Sequence, residues 1–177
     1  MSALIAGAVD DGTAWTGGFV IRYLSAVLSR HIHQRGPSMP SQPLTTYVGV
    51  AHPWMCDTMG HMNVRHYAAM FDDASFQLLG HIAGIEVEGE PGRGWADVRS
   101  EVEYKHETKA GTLLTIRSRV VKLGRSSVTF EQIMSGTLDD VVHAVNRTVT
   151  VRFDLSARTA MALEPAARAR AEALLQA

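Results

Sequence analysis

From residue 95 onward the chain repeats one pattern, apolar and polar residues alternating along stretches separated by short turns. Before it stands a single segment of strong helical period. The alternating stretches are "WADVRSEVEYKHE", "GTLLTIRSRVVKLG", "RSSVTFEQIMSG" and "DVVHAVNRTVTVRFDL". Period-two alternation is the mark of strands with one face buried. Leu114, Ile116 and Val120 share a side of the second, and Val128, Phe130, Gln132 and Met134 a side of the third. On the last, Val141, His143, Val145, Arg147, Val149, Val151 and Phe153 fall together. The separators "LGRS" and "GTLDD" are hairpin-type turns, so neighbouring strands run antiparallel. A sheet of this kind needs its apolar face covered, and few segments are long enough to cover it.

The covering element is read from "VRHYAAMFDDASFQLLGHIAG". Val64, Tyr67, Phe71, Ala74, Leu78 and Ile82 recur three and four apart, as on one stripe of a helix. Asn63 is a preferred N-cap residue and Gly84 a suitable stop. An earlier strand, "LTTYVGVAH", precedes it, and "EPAARARAEALLQA" reads as an alanine-rich terminal helix. The order strand, long helix, strands is α+β, with an antiparallel sheet wrapped around one long central helix. Residues 42–177 form this domain. Residues 1–41 are read as an N-terminal extension, poorly ordered or a short amphipathic helix, ending in the Pro/Ser-rich "RGPSMPSQP". Met39 is a possible true start within it.

Composition narrows the function classes. The formal net charge is −1 over 177 residues, with 20% charged and 46% hydrophobic. That balance argues against nucleic acid or an anionic membrane surface as a general partner. The single cysteine, Cys56, forms no intramolecular disulfide and fits a reduced cytoplasm. No run approaches the roughly 20 apolar residues of a membrane helix. The stretch "GGFVIRYLSAVLSRHIHQRG" is broken by Arg22 and Arg30, and Asp10 and Asp11 precede it where a signal peptide would be basic. His31 and His33 lack a third ligand, so no metal is assigned. The glycines of "IEVEGEPGRG" make no dinucleotide fingerprint, since a strand pattern follows them. No serine-nucleophile elbow or phosphate loop occurs.

The string "MCDTMGHMNVRHYAAMFDDAS" resembles the signature of hotdog-fold acyl-CoA thioesterases of the 4-hydroxybenzoyl-CoA thioesterase-like superfamily. The likeness runs on through "SEVEYKHETKAGTLLTIRSRVVKLGRSSVTFEQI" and "NRTVTVRFDL", covering about residues 44–155. The "GHMN" form is similar to that of thioesterases acting on small acyl groups, quaternary-ammonium acyl-CoAs among them. The resemblance implies a hotdog fold and hydrolysis of a small or aromatic acyl-CoA. Coenzyme A is then part of the substrate rather than a cofactor. It also implies a homodimer or homotetramer with the substrate groove between subunits, and Asp57 as the catalytic carboxylate, either nucleophile or general base.

Thioester hydrolysis further needs donors where negative charge develops on the carbonyl oxygen. The first N–H groups of a helix lack intrahelical partners and carry the positive end of its dipole. If Asn63 caps Arg65 or His66, the N–H of Val64 stays free as the oxyanion donor. Gly60 permits close approach and a positive φ. The alternative role for Asp57 is a turn-forming carboxylate bonded to nearby backbone N–H groups. His61 is either a pocket-lining residue or an acid/base partner.

Some hotdog thioesterases carry the carboxylate on the helix, which makes Asp72, at the flank of the apolar stripe, the rival; Asp73 points almost opposite it. For the phosphates of coenzyme A the candidates are Lys122, Arg125 and Ser126 in "VKLGRSS", a hairpin that often lies near the nucleotide in this family, sometimes across a subunit boundary. Two other functions stay open. One is a hotdog dehydratase or hydratase using His61 with Asp72, and the other a non-catalytic acyl-CoA-binding module in which Asp57 is structural.

Overall fold

The computed structural model describes residues 42–84 and 91–175. The expectations for the N-terminal extension, with His31, His33 and Met39, fall outside these residues. Strand β1 (Leu44–Val50) leads through a 3-10 turn (Pro53–Met55) to helix α1 (Val64–Ala83). Strands β2 (Arg93–Tyr104), β3 (Leu113–Leu123), β4 (Ser127–Gly136) and β5 (Val142–Asp154) follow. A short β6 (Thr159–Ala160) and helix α2 (Pro165–Ala173) complete the described chain. The sheet order is β1-β3-β4-β5-β2, with β6 against β5 and every pairing antiparallel. This is the α+β hotdog arrangement, the long helix lying against one face of the sheet.

α1 begins and ends where its sequence says. Asn63 is extended at the N-cap and its side chain accepts from the N–H of Arg65. Gly84 takes φ 72°, a left-handed value natural to glycine, and its N–H bonds the Gly80 and His81 carbonyls. Tyr67, Phe71, Ala74, Leu78 and Ile82 are buried as the stripe requires, joined by Met70, Ser75 and Leu79. Val64 is the exception, 56% exposed at the first turn. Across from the helix, Leu114, Ile116, Val120, Val128, Phe130, Gln132 and Met134 are fully buried.

On β5 the alternation holds but the faces are reversed. The buried side facing inward is Ala144, Asn146, Thr148, Thr150 and Arg152, while Val145, Val149, Val151 and Phe153 are only partly buried. His143 belongs to the valine set yet is itself buried, at a register shift between β4 and β5 that leaves it without a partner residue in β4. Polar residues are tolerated inside because they bond one another. Asn146 donates to Gln132 Oε1 (2.9 Å) and to Thr148 Oγ1 (3.1 Å), and Gln132 donates to the Phe71 carbonyl (3.3 Å). In register, Ser118, Gln132 and Asn146 form a polar row, which Thr46 extends through its bond to Ser118 (2.7 Å). The row separates two apolar clusters, one under each half of α1.

α2 fastens the far end. Arg170 donates to the Ile82 carbonyl (2.7 Å) and to that of Ala83, satisfying acceptors at the α1 C-terminus. One hydroxyl inside the sheet has no such provision: Thr150 Oγ1 is buried without a hydrogen-bond partner. Thr150→Val removes that unmet donor at nearly equal volume. It is expected to raise unfolding stability by about 1 kcal/mol, read from the midpoint of urea denaturation. A lower midpoint would show that the hydroxyl is satisfied in solution.

Candidate active site

The segment between β1 and α1 is folded back on itself and tied to the β2–β3 connection. Asp57 N–H donates to the His61 carbonyl (3.0 Å), and Gly60 N–H to the Asp57 carbonyl (3.0 Å). This turn requires φ 82° at Gly60, where a side chain would be strained. Asn63 N–H donates to the Met55 carbonyl (3.0 Å), and Met62 N–H to the Thr108 carbonyl (2.8 Å). Backbone bridges pair Cys56 with Met62 and His61 with Lys109. Tyr67, one turn into α1, donates its hydroxyl to Thr108 Oγ1 (2.8 Å). Burial pushes the Tyr67 phenol up while the Thr108 bond works the other way, and the net shift is upward. At neutral pH it is therefore a neutral hydroxyl.

These ties surround a cleft of about 260 Å³. Asp57, Met59, His61 and Met62 line it from the loop, and Asn63, Val64 and Tyr67 from the start of α1. Tyr104, Lys105, His106 and Glu107 close the opposite wall. Asp57 Oδ1 accepts from the Met59 N–H (2.9 Å), so the turn-forming role is real for one carboxylate oxygen. Among the described residues none donates to Oδ2. The Asn63 cap takes the Arg65 N–H (3.2 Å), and the Asn63 carbonyl takes the His66 N–H (2.9 Å). The Val64 N–H is left with no acceptor among the described residues, in the same cleft as Asp57. Asn63→Ala is expected to cost about 1 kcal/mol through loss of the cap, measured by chemical denaturation. An unchanged midpoint would show that the Arg65 N–H is as well served by water.

His61 Nε2 lies 3.0 Å from Glu107 Oε2, and its Nδ1 is buried without a partner. Its carboxylate neighbour is thus Glu107 rather than Asp72. Asp72 is exposed on α1 and does not line the cleft. Asp73 is exposed too, and its charge, after burial itself, helps raise the phenol of Tyr47 on β1.

Lys122, Arg125 and Ser126 lie at the β3–β4 hairpin, the end of the sheet next to α2. There the Ser126 carbonyl accepts from Arg152 N–H (2.8 Å) and that of Arg125 from Leu163 N–H (2.9 Å). The cleft lies past the other end of β3, about 33 Å away along the strand. Within one chain the hairpin and the cleft are therefore not brought together. Tyr104, Lys105 and Glu107 went unnoticed in the sequence, where they read only as the end of a strand; the fold carries them to the helix start.

The family model described as the thioesterase-like superfamily matches residues 50–171, spanning the loop, α1, strands β2 to β6 and most of α2. The chain belongs to this superfamily. A search of curated proteins finds no match to it. Among solved structures, this thioesterase-like protein is similar to the PA5185 protein of Pseudomonas aeruginosa, at 24% identity and TM-score 0.68 over 78% of this chain and 96% of that one. It is also similar to the SAV2348 protein of Staphylococcus aureus, solved in complex with CoA, at 13% identity and TM-score 0.71, covering 80% and 91% of the two chains. A third is Slr0204, a 1,4-dihydroxy-2-naphthoyl-CoA thioesterase from Synechocystis, at 12% identity and TM-score 0.62, covering 72% and 94%. At these identities the likeness is one of fold. Among the described residues no helix is long and apolar enough to cross a membrane.

Proposed function

We propose that this protein hydrolyses a small or aromatic acyl-CoA thioester to the free acid and coenzyme A. The observation that carries the reading is the unengaged Val64 N–H at the α1 N-terminus, in one cleft with the Asp57 carboxylate. The Met59 N–H holds Oδ1 and so orients the carboxylate, leaving Oδ2 to act. As general base it takes a proton from water while the water oxygen bonds to the thioester carbon. The carbonyl oxygen gathers charge against the Val64 N–H and the helix dipole. The tetrahedral carbon then expels the thiolate by breaking C–S, and the thiolate recovers the proton. As nucleophile, Asp57 would instead bond to the thioester carbon and expel the thiolate by breaking C–S; water then opens the mixed anhydride to the free acid and the thiolate takes up the proton.

The protein is proposed to act in the cytoplasm as a homodimer or tetramer. β2 is an edge strand with Val98 and Tyr104 exposed, and pairing it with a second copy would remove that edge and wall the cleft. In such an assembly Lys122, Arg125 and Ser126 would meet the phosphates of coenzyme A only across the subunit boundary.

The Asp57–Met59 bond favours a second reading, an acyl-CoA-binding module without chemistry. Free-thiol release from a panel of short, branched, betaine-like, aromatic and long acyl-CoAs separates the two. Release from one class supports hydrolysis and names the substrate. Tight binding of the same esters without release supports the module, and hydration of an enoyl-CoA would point to the hydratase class.

A further inference from the structure

α1 packs chiefly on β1 and β3, and the inner face of β2 is left exposed at Tyr104 and Ser100 and half-buried at Val102. That face begins at Tyr104, a wall of the cleft, and runs down β2 through Val102 to Ser100, alternate residues pointing the same way. Opposite them on β5 are Ala144, Asn146 and Thr148. Tyr104 and Val102 give an apolar start. Ser100 then changes its character: exposed itself, it donates to Asn146 Oδ1 (2.9 Å). Asn146 in turn is held by Gln132, and Gln132 by the α1 backbone. Deeper on the same face, Thr150 Oγ1 and Trp95 Nε1 are buried with no hydrogen-bond partner.

We propose that this face takes the acyl chain and selects one whose far end carries a hydroxyl, with Ser100 as the residue that recognises it; the proposal rests on the acyl-CoA reading above and replaces its small or aromatic acyl group by a medium chain. The Ser100 hydroxyl spends its proton on Asn146, so its oxygen accepts from the substrate hydroxyl. The network behind it fixes its direction before any ligand arrives. From Tyr104 to Ser100 is about 13 Å of strand, beyond the reach of an acetyl or propionyl group. A medium chain passes its methylenes over Tyr104 and Val102 and brings its terminus to Ser100. A plain alkyl terminus there would be pressed against hydroxyl and amide groups with nothing to exchange.

The test is calorimetric binding of matched thioethers, S-alkyl-CoA against S-(ω-hydroxyalkyl)-CoA, in hexyl, octyl and decyl pairs. Wild type, Ser100→Ala and Ser100→Thr are compared, each checked for native circular dichroism and an unchanged oligomer size. At one length the hydroxyl member is expected to bind about tenfold tighter to wild type. The preference falls below about threefold in Ser100→Ala and is kept by Ser100→Thr. No preference at any length, no binding of either member, or a preference that Ser100→Ala retains would overturn the assignment; the last would give the hydroxyl a partner other than Ser100. Thioethers cannot be hydrolysed, so thiol release from the corresponding esters judges the thioesterase reading separately.

Discussion

Asp57→Asn is expected to lower kcat for acyl-CoA hydrolysis by about 10²- to 10⁴-fold, with KM little changed. The substitution is chosen for what it preserves. The amide oxygen of asparagine still accepts the Met59 N–H, so the turn that carries Gly60 and leads to Asn63 keeps its hydrogen bonds. What is lost is the carboxylate's basicity and negative charge. A retained thermal midpoint together with collapsed thiol release would place the loss in the chemistry. Asp72→Asn serves as control. Asp72 is exposed and outside the cleft, so its removal is expected to change release by less than about twofold, within the range of surface substitutions. If Asp57→Asn releases thiol at the wild-type rate while Asp72→Asn does not, the catalytic carboxylate is the one on the helix.

Arg152→Met is expected to produce the largest loss of stability, about 3 kcal/mol. The Arg152 side chain is only 2% exposed. It donates to both Glu164 carboxylate oxygens (3.2–3.3 Å) and to the Gly94 carbonyl (3.3 Å), and its guanidinium lies 5.1 Å over the Trp95 ring. Removing it leaves the Glu164 carboxylate to Arg93 (3.2 Å) and takes a donor from the Gly94 carbonyl, at the junction of β2, β5 and α2. Glu164 is 27% exposed, so water offsets part of its loss, which sets the expectation at the low end of the range for broken buried pairs. Urea unfolding measures it, and a loss below about 1 kcal/mol would rank the pair with surface ion pairs.

Acid adds a second readout. Burial by itself raises the Glu164 carboxyl, but the Arg152 hydrogen bond and the charges of Arg152 and Arg93 outweigh it and hold the group below its ordinary 4.5. A carboxyl lowered in the folded state contributes stability fully above its unfolded value, and that contribution is lost as pH falls through the folded one. Wild type is therefore expected to lose stability more steeply than Arg152→Met as pH drops below about 4.5.

The helix and its ends were legible because they depend on neighbours in the chain. Asn63, the three-and-four spacing from Tyr67 to Ile82, and Gly84 each act within a turn or two of themselves. The strands were legible for the same reason, as alternation needs only adjacent residues. Alternation does not say which of two faces turns inward, and on β5 the valines pointed the wrong way. Asn146, Thr148 and Arg152 look like surface residues until Gln132, Ser100 and Glu164 are seen to satisfy them. β6 is too short to show any period.

Asp57, Gly60, His61, Asn63 and Val64 lie within eight consecutive residues, so their proximity was determined by the sequence itself, and capping chemistry already implied an open Val64 N–H. The far wall of the cleft was decided by tertiary structure alone. Tyr104 to Glu107 reach it because the β2–β3 connection pairs with the loop through His61–Lys109 and Met62–Thr108. The distance between the cleft and the Lys122–Ser126 hairpin was likewise set by the length of β3. Local hydrogen bonds and periodicities are written in short runs of residues; the pairing of distant strands and the face each presents depend on the register in which they meet.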